Sequence, residues 1–189
     1  LNISASVAVK IGDLPSMQPL MRSRDWCGPL AYALLGTREY SDASRFISLS
    51  VRGKASTRSL NLELSWSELG SDVALCVNSY QKPELIELAS LGFAGIVLQC
   101  ELNMSMLEVT QRGDRADYWI GPGDESGHRN LMLEVSGMSS DGDVLALARR
   151  KATQLLDNPF DAGGYVVAVN FSHGEAILGW AECLVGGQR

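Results

Sequence analysis

Signatures of metal and nucleotide binding are mostly missing from this chain. It holds two histidines, His128 and His173, among 189 residues, which excludes a histidine-rich metal centre. Its four cysteines, Cys27, Cys76, Cys100 and Cys183, lie far apart with no C-x-x-C pair, so zinc ribbons and thioredoxin-type redox motifs are excluded. They read as buried free thiols in a reducing, cytoplasmic setting. There is no G-x-x-x-x-G-K-[ST] loop, no G-x-G-x-x-G fingerprint and no G-x-S-x-G elbow; Gly121, Gly123 and Gly127 read as a loop between strands. No uninterrupted apolar run approaches the roughly 20 residues of a spanning helix. The best run, Phe93 to Leu98, is core-sized, and the start lacks the basic head and apolar run of a secretory leader. A membrane partner is therefore not expected.

What is present is the composition of a folded domain: 46% hydrophobic and 20% charged, with a mean hydropathy of +0.01. The net charge of −6 and a pI near 4.9 exclude a broadly basic nucleic-acid surface while leaving room for a local one. The charge is unevenly spread. Residues 1–80 carry eight basic and seven acidic side chains, residues 81–189 eight and fifteen. Nucleic acid, a protein partner and a second copy of the chain all stay open as binding partners.

Two parts are expected: a β-rich N-terminal part over 1–80 and an α/β core over 81–189, open to being one continuous domain. In the first, Leu1, Ile3, Ala5, Val7, Val9 and Ile11 alternate with mostly polar neighbours, the period of a strand with one buried face. Ile47, Leu49 and Val51 repeat the pattern, as do Leu60, Leu62, Leu64 and Trp66, with a hairpin connection at 52–56. The run Val73 to Val77 suggests another strand. A helix is expected around Pro29 to Leu35, with Pro29 in its first turn and Gly36 as its stop.

Beyond Gln81 the character changes. Pro83, Glu84 and Glu87 open a helix reaching as far as Leu98, weakened by Gly92 and Gly95. Strands follow over Met104–Thr110, Asp117–Ile120 and Leu131–Val135, the first two joined by the turn 112–115. Ser139, Ser140 and Asp141 offer caps for a helix over 143–157, stopped by Asn158-Pro159. Gly164–Val169 reads as a central buried strand, and Ala176–Val185 as an edge strand or a helix. His173 reads as a turn residue and the four tryptophans as core or rim. Arg38, Arg45, Arg52, Lys54 and Arg58 read as a solvated face, or else as the surface best suited to phosphate contacts.

The order helix, strand, strand, strand, helix, strand, with Asp117 opening the second strand and Glu134 late in the third, resembles the core of the PD-(D/E)XK (restriction-endonuclease-like) nuclease superfamily. The resemblance covers about residues 83–172 and implies an α/β fold with a central mixed sheet and an αβββαβ core. It implies Mg²⁺ or Mn²⁺ held by Asp117, Glu134 and the Val135 carbonyl, with Glu87 as an auxiliary acid. The implied activity is hydrolysis of phosphodiester bonds in nucleic acid, which needs an activated water and positive charge where negative charge develops.

One position departs from the pattern: Ser136 stands where the superfamily places lysine, giving Glu134-Val135-Ser136. Serine cannot replace an ammonium group. At about 100° per residue, Val144, Leu147, Ala148, Ala152, Leu155 and Leu156 define the apolar arc of the following helix. Lys151 falls inside that arc, with Gln154 its neighbour three residues on. An ammonium aimed at the core needs an acceptor, and Lys151 is expected within about 4–6 Å of Glu134. Some superfamily members likewise carry the lysine on this helix and others a helical glutamine, which makes Lys151 and Gln154 candidate catalytic residues beside Asp117 and Glu134. The alternatives are a catalytically inactive nuclease-like fold serving as a structural or interaction subunit, favoured by Ser136 and the acidic charge, and an unrelated α/β domain.

Overall fold

The computed structural model describes residues 5–35, 44–54, 56–66, 69–122 and 130–186. Leu1, Ile3, Gly36, Arg38, Ala55, Gly123, Gly127 and His128 lie outside the described residues. The fold is mixed α/β. Eight strands among the described residues form one sheet in the order β1-β3-β2-β8-β7-β6-β5-β4.

The N-terminal part supplies one flank. Strand β1 (Ala5–Lys10) runs parallel to β3 (Thr57–Ser65), and β2 (Ser44–Arg52) pairs with β3 as the expected hairpin, Arg52 opposite Thr57. The alternation holds, since Ile47, Leu49, Leu60, Leu62 and Leu64 are all buried. This part also contributes helices α1 (Leu14–Met17), α2 (Arg24–Leu35) and α3 (Gly70–Ser79). Two expectations are corrected here. Pro29 lies inside α2, not in its first turn; the helix tolerates the lost N–H because Trp26, Cys27, Leu30 and Leu34 on it are buried, and that packing offsets the local cost. Val73–Val77 is helical. Only Val73 is buried there, with Leu75 67% and Val77 45% exposed, so the apolar run was never a strand's buried face.

Helix α4 (Lys82–Leu102) starts as expected. Gln81 and Glu84 form a reciprocal capping box, with the Gln81 N–H donating to Glu84 Oε2 at 3.0 Å. The helix runs four residues past Leu98 and through Gly92 and Gly95, where a Cβ would stand 3.2 Å from Trp26 Cβ and 2.9 Å from Gln18 Cγ. By length and composition α4 could cross a bilayer, a test that a core helix also passes, and 61% of its most apolar window is buried inside this fold. Buried Gln18 fastens it, donating to the Gly95 carbonyl at 2.9 Å and accepting from the Met106 N–H at 2.8 Å.

The remaining elements are β4 (Ser105–Val109), β5 (Tyr118–Gly121), β6 (Leu131–Met138), α5 (Val144–Leu156), β7 (Gly164–Asn170), β8 (Glu175–Trp180) and α6 (Ala181–Val185). Strands β4, β5 and β6 form an antiparallel meander, and β7 pairs parallel with β6 after the α5 crossover. Asp143, not Ser139, Ser140 or Asp141, caps α5, accepting from the Leu145 and Ala146 N–H groups at 2.7 and 3.2 Å. The segment 176–185 is both strand and helix, and its strand is no edge: β8 lies between β7 and β2, parallel to β2. That pairing joins the two parts of the chain into one sheet. One sheet face packs Leu133, Val135, Val167 and Val169 with α2 and α4; the other packs Met132, Val166 and Ala168 with α5 and α6.

Close contact of β6 and β7 is a testable feature of this arrangement. A Cβ on Gly164 would stand 2.3 Å from the Met132 carbonyl oxygen, a backbone atom that cannot swing aside. Gly164→Ala should cost about 2–3 kcal/mol in urea unfolding, whereas Gly70→Ala, with nothing within 4 Å, should be neutral or gain up to about 1 kcal/mol. An unchanged midpoint for Gly164→Ala would contradict this strand pairing.

Candidate active site

The site grows from the end of β5. Asp117 immediately precedes that strand, and its N–H donates to the Leu133 carbonyl at 2.9 Å. Pairing of β5 with β6 reaches only Leu133, so the next backbone groups on that edge of β6 have no strand partner. Asp117 fills the gap with its side chain: Oδ2 accepts from the Val135 N–H at 2.7 Å. Along a strand, a residue's C=O points to the same edge as its N–H, so the Val135 carbonyl lies on this edge too.

Glu134 points to the other face, toward α5, and has no exposed surface. Lys151 reaches it from α5 and its Nζ hydrogen-bonds to Glu134 Oε1. The helical-wheel expectation for Lys151 is met: the ammonium goes inward, and only 21% of the side chain is exposed. Ser136 shares the Glu134 face by the period of two, so the cation that Ser136 fails to supply arrives from the helix layer above it. The second oxygen, Glu134 Oε2, is buried without a hydrogen-bond partner. Burial, reinforced by the negative charge of Asp117, lifts the Glu134 carboxyl from 4.5 to about 7 against the pull of Lys151. Burial also raises Asp117, while the Val135 N–H and Lys151 hold it back.

These groups adjoin a cleft of about 670 Å³ between the start of α4, the end of β6 and α5. Asp117, Val135, Ser136 and Lys151 line it, with Glu134 set into the wall behind them. Glu87 lines the cleft, but among the described residues no third acid, histidine or cysteine joins Asp117 and Glu134 in a metal-binding cluster. The floor is tight, since a Cβ on Gly137 would lie 1.8 Å from Ser90 Oγ of α4. Tyr118, Lys82 and Ser139 also line the cleft. Sequence reading missed all three; only Lys82, next to the Pro83 helix start, carried any local signal. The Tyr118 phenol is pushed up to about 12 by burial and by the charges of Asp117 and Glu87, so it stays protonated.

Other candidates lie elsewhere. Gln154 does not line this cleft; it is exposed and borders a separate hollow with Arg112 and Arg115, because three residues along a helix turn it about 60° away from Lys151. The proposed basic face does not meet the cleft either. Arg45 donates to the Leu34 and Ser172 carbonyls, Arg58 pairs with Glu101, and Lys54 sits 4.3 Å over the Trp180 ring. His173 lies in the turn after β7, 3.2 Å from Asp141.

The arrangement sets a pH dependence. A carboxyl that titrates near 4.5 unfolded and near 7 folded binds its extra proton only in the folded state between those values. The contribution of Glu134 to stability is therefore fully present below about 4.5 and is lost as pH rises toward 7, by up to about 1.4 kcal/mol per pH unit. Urea unfolding of Glu134→Gln should show a shallower slope over this range, the remainder coming from Asp117, which burial also raises; a variant with the wild-type slope would show that Glu134 does not contribute.

No protein-family model, curated protein or solved structure matches this chain, and the chemistry of the cleft rests on its own residues.

Proposed function

We propose that the cleft is a metal-dependent phosphodiesterase site acting on nucleic acid, of the PD-(D/E)XK type. The observation that carries this reading is the Lys151–Glu134 contact beside Asp117, two carboxylates and one ammonium at the end of a shared strand pair. The order of α4, the β4–β6 meander, α5 and parallel β7 supports the restriction-endonuclease-like core.

The donor set suits Mg²⁺ or Mn²⁺. Two carboxylates and one ammonium leave a net negative charge in a desolvated corner, and Oε2 of Glu134 is buried and unpartnered. Hard oxygen donors of this kind favour such ions, which keep water in their remaining positions. Asp117, Glu134 and the Val135 carbonyl would hold the ion, which supplies an acidified water and charge neutralisation at the phosphate. Asp117 spends Oδ2 on the Val135 N–H and keeps its other oxygen for a ligand. Lys151 holds Glu134 in place and offers positive charge to the phosphate, the part that Ser136 cannot play. Tyr118 offers a hydroxyl donor, and exposed Lys82 lies at the mouth of the cleft.

A second reading, an inactive nuclease-like module that binds a partner, is favoured by Ser136 and by the net charge of −6. Cleavage assays on single- and double-stranded DNA and RNA separate the two. The active reading expects Mg²⁺- or Mn²⁺-dependent cleavage, abolished by chelation, by Asp117→Ala and by Glu134→Ala. Lys151→Met should lower kcat by about 10²-fold or more with a smaller change in KM. Mg²⁺ should also raise the Tm more at pH 7.5 than at pH 5, because it competes with the proton on Glu134. No cleavage of any substrate and no ion-dependent Tm shift would leave the inactive reading.

A further inference from the structure

Beside the cleft lies a second hollow of about 550 Å³, formed by the turn after β4 and the outer side of α5. It shares Val109 and Asp117 with the cleft, so the two depressions adjoin along those residues. Arg112, Arg115, Thr110 and Gln154 line it. Resting on the nuclease reading, we propose that this hollow holds the backbone phosphate next to the scissile one, so that the substrate is a strand continuing past the cut.

The local charges support an anion there. Arg112 is exposed and has no ion pair or hydrogen-bonded side-chain partner among the described residues. Arg115 pairs with Asp157 at 2.7 Å, but both side chains are more than half exposed, and such surface pairs exchange readily for a better acceptor. The acid within the turn is occupied: Asp114 Oδ2 accepts from the Gln111 N–H at 2.7 Å. The turn itself is held in a defined shape, with the Asp114 N–H on the Gln111 carbonyl, Thr110 Oγ1 on the Ala116 carbonyl and left-handed backbone at Gly113 and Arg115. Arg150, one helical turn before Gln154, stands on the same side of α5 without lining the hollow. Arginines suit phosphate through their planar fork of donors. Gln154, set apart from the Lys151 corner, gains a role here as a neutral donor to the same phosphate.

The test is binding of a fluorescein-labelled 15-nucleotide single-stranded DNA, and of its duplex, followed by anisotropy in Ca²⁺ across a salt series. Arg112→Ala should weaken binding several-fold at low salt and reduce the slope of log K against log salt by about 0.7 for the single strand. Arg112→Lys should keep most of the slope. Asp157→Asn, which frees Arg115, should tighten binding. Arg22→Ala, on an exposed arginine that pairs with Asp25 and lines neither depression, should change neither. Unchanged affinity and slope for Arg112→Ala and the Arg112→Ala/Arg115→Ala double variant would overturn the inference, as would failure of the wild type to bind either DNA. The outcome is separate from the cleavage assay. Arginine-dependent binding without cleavage leaves this hollow standing and removes the nuclease reading, and cleavage with arginine-independent binding does the reverse.

Discussion

Glu134 occupies the interior of a paired strand with no exposed surface, and a carboxylate in that position must take a proton or find a cation. The structure around it answers that demand. Lys151 is turned inward along an otherwise apolar helix face and supplies one positive charge. Asp117, on the β5 edge of the same strand, adds a negative one and caps the Val135 N–H. The result is a corner whose charge is unbalanced and whose last oxygen is unsatisfied. Removing either partner of such a buried pair ordinarily costs far more than the pair contributes in net stability.

The sheet holds that corner still. Strand β6 is paired on one side with β7 along Met132–Met138 and on the other with β5 as far as Leu133. Beyond Leu133 its edge opens, and the cleft forms there. Helix α4 closes the floor by packing Ser90 against Gly137, and α5 roofs the opposite face. The N-terminal strands extend this scaffold through the β2–β8 pairing and add to the core under α2 and α4. They contribute no residue to the cleft.

Much of the second half was legible locally. Pro83 with Glu84 marked the start of α4, Asn158-Pro159 the end of α5, and apolar periodicity the meander and β7. The failures share a cause. Val73–Val77 and Ala176–Val185 are short apolar runs whose period does not distinguish strand from helix, and only the neighbours they pack against decide. Pro29 reads as a helix start by its missing N–H, yet burial of the surrounding side chains carries the helix past it. Likewise Gly92 and Gly95 read as weak points because the sequence does not show Trp26 and Gln18 pressing on them.

At the site, the sequence by itself determined that Lys151 would face the core, because a helix of this apolar pattern has one buried arc and the lysine lies within it. It also determined that Asp117 opens one strand and that Glu134 lies on a later one, because the apolar runs beside each mark those strands, although β6 extends to Met138 and leaves Glu134 in its interior. Tertiary structure alone decided that Lys151 meets Glu134, that Gln154 turns away to the arginine hollow, and that β8 is interior to the sheet. Those outcomes depend on how layers stack and strands choose partners across long stretches of chain, and such contacts leave no periodic trace in either of the segments that make them.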